Sequence, residues 1–494
     1  MKYLLYAQVG RHSIGEHLGT ADYSYYFLLR AFATVLKELG DIVELHDCAQ
    51  VDALYEQCRA RGEECLLLSF APPHKTPLGL DCPTVPVFAW EYPEIPERIE
   101  EECWRDDPRH DWRYVLATTG RAICMSTHTA EAVWRSMGRT YPIAAIPSPL
   151  PPSSTPLRSY LASLLPEGVT WRLNAAVSDS DHMGLNADAM VHPETQEETL
   201  FDPSDLMNLP EINRSSMENT PGRPLWRLAM KENILLDDPY QPPLGADWTV
   251  PPSVPVRLHL QGVVYTSVLT PSSGRKNWED LVTAFCWAFR DTEDATLILK
   301  LTGRDLLHNH RHLLMMLTKH APFKCRVIAI YGYVPDDDYA TLIDTSTFYV
   351  NASLCEGQCL PLVEFLNEGV PAIAPDNTAM ADYISDDVAF VVKSYPGSPT
   401  MWPHGDFQIN RTSYCQLDWN SLVEAYRRSY AVAHRNPGLY RQMAQSARKT
   451  IQNYCGNDVV TTALHKFLCP EQSLPIRAIP AAAISGLPQL AAKP

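Results

Sequence analysis

The first 150 residues alternate short apolar runs with amphipathic segments. The clearest amphipathic segment is Ala21–Leu39, whose apolar residues recur every three or four positions. It predicts a helix that ends at Gly40. A second helix is predicted to end at Gly138. The apolar runs that predict buried strands are 3–7, 42–45, 65–70, 85–90 and 122–125.

The same alternation returns after residue 256. Helices are predicted over 278–290, 306–317 and 361–367, and short strands lie between them. Short buried strands that alternate with helices are typical of parallel sheets covered on both faces. We therefore expect an α/β protein with two doubly wound domains facing each other, and a ligand site in the cleft at the carboxyl ends of the strands. The predicted strands of this part are 263–269, 296–301, 327–331, 348–350 and 372–374.

Proline separates the two alternating parts. Of 41 prolines, 15 lie in residues 151–255, a segment with little sustained periodicity. We interpret it as an irregular insertion or linker between an N-terminal domain, 1–150, and a C-terminal domain, 256–449. Residues 450–468 are helix-prone with an interruption near Gly456, and 469–494 form an Ala/Pro-rich tail that we expect to be mobile.

Composition and charge exclude several classes of protein. Of 494 residues, 45% are hydrophobic, enough for sizeable cores. Lys plus Arg is 41 and Asp plus Glu is 58, a net charge of −17, which argues against nucleic-acid binding and against a broad basic face for anionic lipid. The 13 scattered cysteines include no CxxC pair and predict reduced thiols. Without a leader or spanning stretch, we expect a cytoplasmic protein, with local peripheral membrane contact left open.

Two glutamates eight positions apart give the most specific chemical signal. Glu356 stands in a glycine-containing loop, and Glu364 stands just inside a helix opened by Pro361. The free N–H groups and positive dipole at that helix start suit a diphosphate. Glu364 can accept hydrogen bonds from ribose hydroxyls, and Glu356 from hydroxyls of an attached sugar. The spacing alone fits equally well two solvated glutamates beside a helix start.

The stretch 353–371 resembles the E-x7-E signature of retaining glycosyltransferases of the GT-B fold, especially glycosyltransferase family 4. Residues 331–340 resemble the segment that carries the nucleotide base in that family. Residues 274–285 resemble a helix start whose basic residue contacts diphosphate. The likeness covers 256–468 well and 1–150 more weakly. It implies two Rossmann-like domains, the N-terminal one for the acceptor and the C-terminal one for the donor, and final helices that cross back to the N-terminal domain.

The resemblance also implies a set of donor-binding residues. Lys276 is the basic residue at the diphosphate, although the family's second basic residue falls here on Thr270. Either Arg275 or Lys300 supplies that second charge, and a solvated basic pair at a helix start is the plain alternative. The donor-binding residues are Gly19, Arg275, Lys276, Lys300, Tyr333, Val334, Glu356, Gly357, Gln358, Cys359, Leu360 and Glu364.

Three candidates lie in the N-terminal half. Gly19 belongs to a glycine-bearing loop before the first long helix, which the resemblance places near phosphate and which is equally an ordinary strand–helix turn. His74 follows a predicted strand and corresponds to a histidine that touches the transferred sugar, or is a surface loop histidine. Glu91 ends the next strand and either binds acceptor hydroxyls or begins a loop. We expect Glu356, His74 and Lys276 to be catalytic.

The predicted function is that of a retaining glycosyltransferase. It moves a sugar from a nucleotide-sugar donor to a glycan, lipid-linked or other hydroxyl acceptor, and we expect no cofactor and no metal, since cationic side chains and a helix dipole balance the diphosphate. A nucleotide-sugar hydrolase or epimerase and a non-catalytic partner of another transferase are the alternatives. The sugar, the base and the acceptor are not determined by these motifs.

Overall fold

The computed structural model of the protein describes most of both alternating parts of the chain. The predicted Gly19 loop, the tail from residue 470 and most of the proline-rich segment lie outside the described residues. The structure describes residues 1–10, 21–99, 102–104, 106–151, 153, 168–185, 251–303, 305–397, 400–401 and 411–469.

The N-terminal part is a parallel six-stranded sheet with helices on both faces. The strand order is β2-β1-β3-β4-β5-β6, and every neighbouring pair is parallel. The strands are β1 Lys2–Tyr6, β2 Asp41–Leu45, β3 Cys65–Phe70, β4 Thr84–Phe88, β5 Ala122–Cys124 and β6 Ile143–Ala145. The helices are α1 Ala21–Leu39, α2 Val51–Ala60, α3 Trp112–Thr119 and α4 Thr127–Met137.

Local sequence signals explain where these helices begin and end. The side chain of Ser126 accepts a hydrogen bond from the N–H of Thr129 and caps the start of α4. Gly40 closes α1 at a point where a Cβ would lie 2.2 Å from the carbonyl oxygen of Met1. Only glycine fits there, so the predicted helix end at Gly40 is also a packing requirement of the sheet.

The C-terminal part is an eight-stranded sheet in the order β14-β13-β12-β9-β10-β11-β7-β8. The strands from β9 onward pair in parallel, whereas β7 and β8 are antiparallel additions at one edge. The strands are β7 Val169–Asp179, β8 Val254–Leu260, β9 Val263–Leu269, β10 Ala295–Leu301, β11 Arg326–Tyr331, β12 Phe348–Val350, β13 Ala372–Pro375 and β14 Ala389–Val392. The helices are α5 Trp278–Ala288, α6 Leu306–His320, α7 Asp336–Thr345, α8 Leu360–Asn367, α9 Trp419–Arg435, α10 Pro437–Cys455 and α11 Asn457–Leu468.

Four short strands complete the described elements of this part. They pair antiparallel as β15 with β18 and β16 with β17. Their bounds are β15 Ser394–Pro396, β16 Thr400–Met401, β17 Arg411–Thr412 and β18 Cys415–Leu417. The expected fold class is confirmed, because two doubly wound parallel sheets face each other across a cleft, which is the GT-B arrangement.

Within 151–255, the described residues form two strands, where the sequence predicts an irregular segment. β7 pairs with β11, and β8, which begins at Val254, pairs with β7. Along β7, Trp171 and Leu173 are buried while Arg172 and Asn174 are exposed. This period-two alternation is that of an edge ribbon with one wet face. The density of proline on either side concealed it.

The last two helices connect the C-terminal part to the N-terminal part. α10 and α11 meet at Gly456, where the predicted interruption lies. The N–H of Leu150 donates to the carbonyl oxygen of Cys455 at 2.9 Å, and the Tyr454 hydroxyl donates to the carbonyl oxygen of Met125 at 3.3 Å. α11 packs on α1, and Leu464 is buried in the same apolar cluster as Leu36. This second crossing limits the relative motion of the two sheets.

Candidate functional site

A cleft of about 630 Å³ lies between the carboxyl ends of the two sheets. On the C-terminal side it opens beyond β9 and β12, the neighbouring strands at which the strand order changes direction. Such a switch point is where open α/β sheets bind ligands, because the loops leave the sheet there toward opposite faces. Twelve of the fourteen predicted site residues line it: Glu91, Arg275, Lys276, Lys300, Tyr333, Val334, Glu356, Gly357, Gln358, Cys359, Leu360 and Glu364.

Glu356 is buried at the floor of the cleft and is held by three side chains. Its Oε1 accepts from the Lys276 ammonium at 2.5 Å and from the Ser353 hydroxyl at 2.6 Å, and its Oε2 accepts from Arg275 at 2.7 Å. Its backbone N–H donates to the Thr378 hydroxyl at 2.9 Å. The carboxylate is therefore fixed in position before any ligand binds.

The charge of Glu356 is set by a competition between burial and its cationic neighbours. Burial by itself raises the pKa of this carboxyl, but Lys276 and Arg275 outweigh burial and lower the pKa to about 2. Glu356 is thus ionised at all physiological pH values. Its charge in turn organises the two cations that the sequence assigns to the diphosphate.

Arg275 connects the two sides of the cleft. It lies in the short 3-10 helix Gly274–Lys276 that follows β9. One guanidinium nitrogen contacts Glu356, and another contacts Oε1 of Glu91 at 2.8 Å, from the loop after β4. Burial opposes the charge of Arg275, but Glu91 and Glu356 raise its pKa well above the ordinary value. The structure therefore pairs Glu91 with Arg275, and the contact of Glu91 with acceptor hydroxyls stays a prediction.

Lys300 is a cation of a different kind. It is 5% exposed near the carboxyl end of β10, and its ammonium donates to the Thr302 hydroxyl at 3.1 Å. Burial lowers its pKa to about 8. In the part of the chain that the structure describes, Lys300 forms no ion pair, so its charge is available to an anionic ligand in the cleft.

α8 presents its amino end and Glu364 to the same cleft. Cys359 precedes the helix with φ 66°, a left-handed conformation that turns the loop sharply into the helix. Glu364 is half-buried, and its Oε2 accepts from the Tyr339 hydroxyl at 2.7 Å. Burial raises the pKa of Glu364 to about 7. A ligand that donates hydroxyl hydrogen bonds would stabilise the ionised form.

Aromatic side chains from both sheets line the mouth of the cleft beside Glu364. Tyr333 is 50% exposed and follows β11, and Val334 is buried beneath it. From the opposite side, α1 contributes Tyr23 and Phe27, whose rings pack edge to face at 5.1 Å. The arrangement offers flat apolar surface near a carboxylate and suits a nucleoside.

Gly357 lies where the two sides of the cleft are in close contact. A Cβ at this position would lie 3.0 Å from the Cβ of Ala89 and 3.1 Å from the backbone nitrogen of Trp90. Next to it, the Gln358 side chain accepts from the N–H of Ser148 at 3.1 Å. The loop that carries Glu356 is therefore packed against the N-terminal side of the cleft, and a side chain at 357 would require one of the two sides to shift by a few tenths of an ångström.

His74 does not line the cleft. Its ring is 4% exposed and packs against Trp104 and Trp112, and Nδ1 accepts from the indole N–H of Trp112 at 3.1 Å. Burial, together with the charges of Lys75 and Arg109, lowers its pKa to about 3. The neutral ring with its proton on Nε2 supports the aromatic wall. Its contact with a transferred sugar stays a prediction that would require these tryptophans to move.

Several residues at the site escaped the sequence interpretation. Tyr339 lies within the base-carrying segment, but nothing in its spacing pairs it with Glu364. Ser353 belongs to the E-x7-E stretch 353–371, but the sequence assigns it no role. Thr378 adopts φ 47°, which is strained for a β-branched residue, and its hydroxyl holds the backbone of Glu356. Two of these three contacts join residues more than twenty positions apart. Local sequence patterns do not predict such contacts.

Two structural features are absent from the described residues. No group of three or more His, Cys, Asp or Glu side chains there is arranged to hold a metal ion. No helix there is both long enough and apolar enough to cross a membrane. Metal-independent transfer and a cytoplasmic location stay predictions.

Comparisons with known proteins find similarity of overall structure at very low sequence identity. No protein-family model and no curated protein matches the chain. Sucrose-phosphate synthase from Thermosynechococcus elongatus is 12% identical over 94% of this chain and 98% of that one, with a TM-score of 0.47. Anabaena HepE, solved with UDP and glucose, is 11% identical over 95% of this chain and 99% of that one, with a TM-score of 0.44. Staphylococcus aureus TarM is 8% identical over 82% of this chain and 54% of that one, with a TM-score of 0.42. Likenesses at this level do not define an activity.

Proposed function

We propose that the protein is a glycosyltransferase that moves a sugar from a nucleoside-diphosphate donor to a hydroxyl acceptor. One observation carries the proposal. Both glutamates of the E-x7-E stretch line a single cleft at the switch point of the C-terminal sheet, and residues of the N-terminal part line the same cleft from the opposite side. A solvated pair of glutamates beside a helix start would not lie at this position.

The donor would lie along the C-terminal wall. The nucleoside packs at Tyr333, and its ribose hydroxyls donate to Glu364, whose ionised form they stabilise. The diphosphate meets the amino end of α8 and the ammonium of Lys300. The sugar then lies over the floor of the cleft near Glu356, between the two sheets.

The cations support departure of the diphosphate. As the bond between the sugar C1 and the phosphate oxygen breaks, negative charge grows on that oxygen, and fixed cations stabilise it without reorganising. Lys276 and Arg275 are fixed in this sense by Glu356. The acceptor oxygen forms the new bond to C1, and its proton passes to the departing diphosphate. We propose that attack occurs on the face that the diphosphate leaves, which retains the configuration at C1.

A non-catalytic nucleotide-sugar-binding protein is the second candidate, and one observation favours it. Arg275 and Lys276 are both engaged by carboxylates, so their charges are already balanced before a ligand arrives. If those pairs persist in the complex, the site binds a donor through Lys300 and Glu364 but stabilises its leaving group less.

Donor turnover separates the two candidates. The full chain is incubated with UDP-, GDP- and ADP-sugars, with and without a panel of glycosides and other hydroxyl acceptors, and release of nucleoside diphosphate is followed. We expect release that rises with one acceptor class and is lost in Lys276→Ala. Tight binding of a donor without release in any mixture would favour the binding protein, and absence of both would refute the nucleotide-sugar site. A Glu424→Gln variant, altered on the exposed surface of α9, is the matched control.

A further inference from the structure

The guanidinium of Arg275 is held between carboxylates that belong to opposite sides of the cleft. Glu91 reaches it from the N-terminal sheet at 2.8 Å, and Glu356 reaches it from the C-terminal sheet at 2.7 Å. The side chains of Glu91 and Arg275 are 22% and 19% exposed. Both are therefore shielded enough for the pair to orient Arg275 and open enough for a ligand to compete with it.

Glu91 also completes a balance of charge at the floor of the cleft. Two carboxylates, Glu91 and Glu356, face two cations, Arg275 and Lys276, so the four charges sum to zero. Lys300 stands apart from this group on the wall of the cleft. A nucleoside diphosphate entering the cleft thus meets two compensated cations at its floor, and on its wall Lys300, which forms no ion pair among the described residues.

We propose that Glu91 is a charge-balancing residue that positions Arg275 and lowers the affinity of the cleft for the nucleoside diphosphate. It is a positioning residue, since it acts through Arg275 and not on the sugar. The inference rests on the proposed function, because it assigns Glu91 a role in that reaction. The consequence for turnover is that Glu91 lets the diphosphate leave once the sugar has been transferred.

Three roles for Glu91 give different results when its charge is removed. Under the proposed role, Glu91→Gln leaves the floor with a net positive charge, so nucleoside diphosphate binds more tightly. One added charge at about 7 Å in a partly wet site corresponds to about three- to tenfold in affinity. A residue that binds the acceptor would instead raise the acceptor KM. One that merely holds the two sides together would weaken binding of both substrates.

The chain supplies two matched controls. Glu91→Asp keeps the charge and should keep the affinity of the wild type. Asp382→Asn removes the charge from a different carboxylate contact between the two sides, since Asp382 accepts from the N–H of Thr127 at 2.9 Å and does not line the cleft. It tests whether weaker contact between the sheets by itself reproduces the effect.

The experiment measures dissociation constants of UDP, GDP and ADP by titration calorimetry for the full chain at 50 and 300 mM salt. For the nucleotide that the wild type prefers, we expect three- to tenfold tighter binding by Glu91→Gln at low salt. The gain should be smaller at high salt, with no gain in Glu91→Asp or Asp382→Asn. Steady-state kinetics of Glu91→Gln should show a lower kcat with stronger inhibition by the diphosphate.

The outcomes separate this inference from the function on which it rests. If the wild type binds a nucleoside diphosphate and Glu91→Gln binds it equally or more weakly, the charge-balancing role is overturned and the proposed function stands. A raised acceptor KM with unchanged diphosphate affinity would likewise overturn it, in favour of acceptor binding. If the wild type binds none of the three nucleotides, the proposed function fails and the role of Glu91 fails with it.

Discussion

Replacing Glu364 by glutamine should stabilise the protein at high pH while it weakens the donor site. Burial raises the pKa of this carboxyl from 4.5 to about 7, so the folded protein holds the proton more tightly than the unfolded chain does. The protonated Glu364 therefore makes its full contribution to the free energy of unfolding below about pH 4.5, and that contribution is lost as the pH rises through 7. The difference in pKa corresponds to about 3 kcal/mol once the carboxyl is fully ionised.

Glutamine keeps an oxygen for the Tyr339 hydroxyl and carries no charge at any pH. The free energy of unfolding of Glu364→Gln should therefore exceed that of the wild type by less than about 1 kcal/mol at pH 5 and by about 3 kcal/mol at pH 8. Urea denaturation at both pH values measures this, with equal m-values required. Glu424→Gln removes an exposed carboxylate and should show no such divergence.

The same substitution should weaken binding of the nucleoside diphosphate at pH 8. A hydrogen bond to a charged group contributes about 1.5–3 kcal/mol, which corresponds to roughly 10- to 150-fold in affinity. Equal stability differences at pH 5 and pH 8 would refute the burial argument. Unchanged affinity in the folded variant would remove Glu364 from the ribose site.

Three further substitutions test the cleft. Gly357→Ala should lower the free energy of unfolding in urea denaturation, since its Cβ would lie 3.0 Å from a side chain on the opposite side of the cleft; an unchanged value would mean that the contact yields locally. In the wild type, we expect the affinity for the diphosphate to fall as the pH rises through about 8, where Lys300 loses its proton. Lys300→Met should remove this pH dependence. If the fall in affinity persists in the variant, another group causes it. Lys276→Ala should cost about 1–3 kcal/mol of stability at pH 7 and less as the pH falls toward 2, where Glu356 becomes protonated. Lys324→Ala, which removes an exposed lysine paired with the exposed Glu293, should cost nothing detectable in urea denaturation. Equal costs of Lys276→Ala at pH 7 and pH 3 would contradict the pairing of Lys276 with Glu356.

The last of these predictions departs from what the sequence alone suggests. A lysine at a helix start in a cleft is expected to contribute little to stability. The structure pairs Lys276 with a carboxylate that is 2% exposed, so loss of the ammonium leaves Glu356 with less compensation for its burial. Burial of the partner decides the outcome, and burial is not visible in the motif.

The sequence by itself determined the class of fold and the neighbourhood of the site. Apolar runs of three to seven residues that alternate with helical segments favour strands of a sheet covered on both faces, and Ala21–Leu39 has the spacing of a helix that packs on such a sheet. The loop from Ser353 to Glu364 carries its own turn and helix-start signals. For these local features the chain needs no information from distant segments.

The tertiary structure alone decided which charges meet. Glu91 and Arg275 are 184 positions apart (275 − 91), and only the strand order and the closure of the two sheets place them 2.8 Å apart. The burial of His74 behind two tryptophans and the addition of β7 to the sheet edge arise in the same way. Local spacing fixes which face a side chain occupies, whereas ion pairing and pKa depend on what packs against that face, and that is a property of the whole fold.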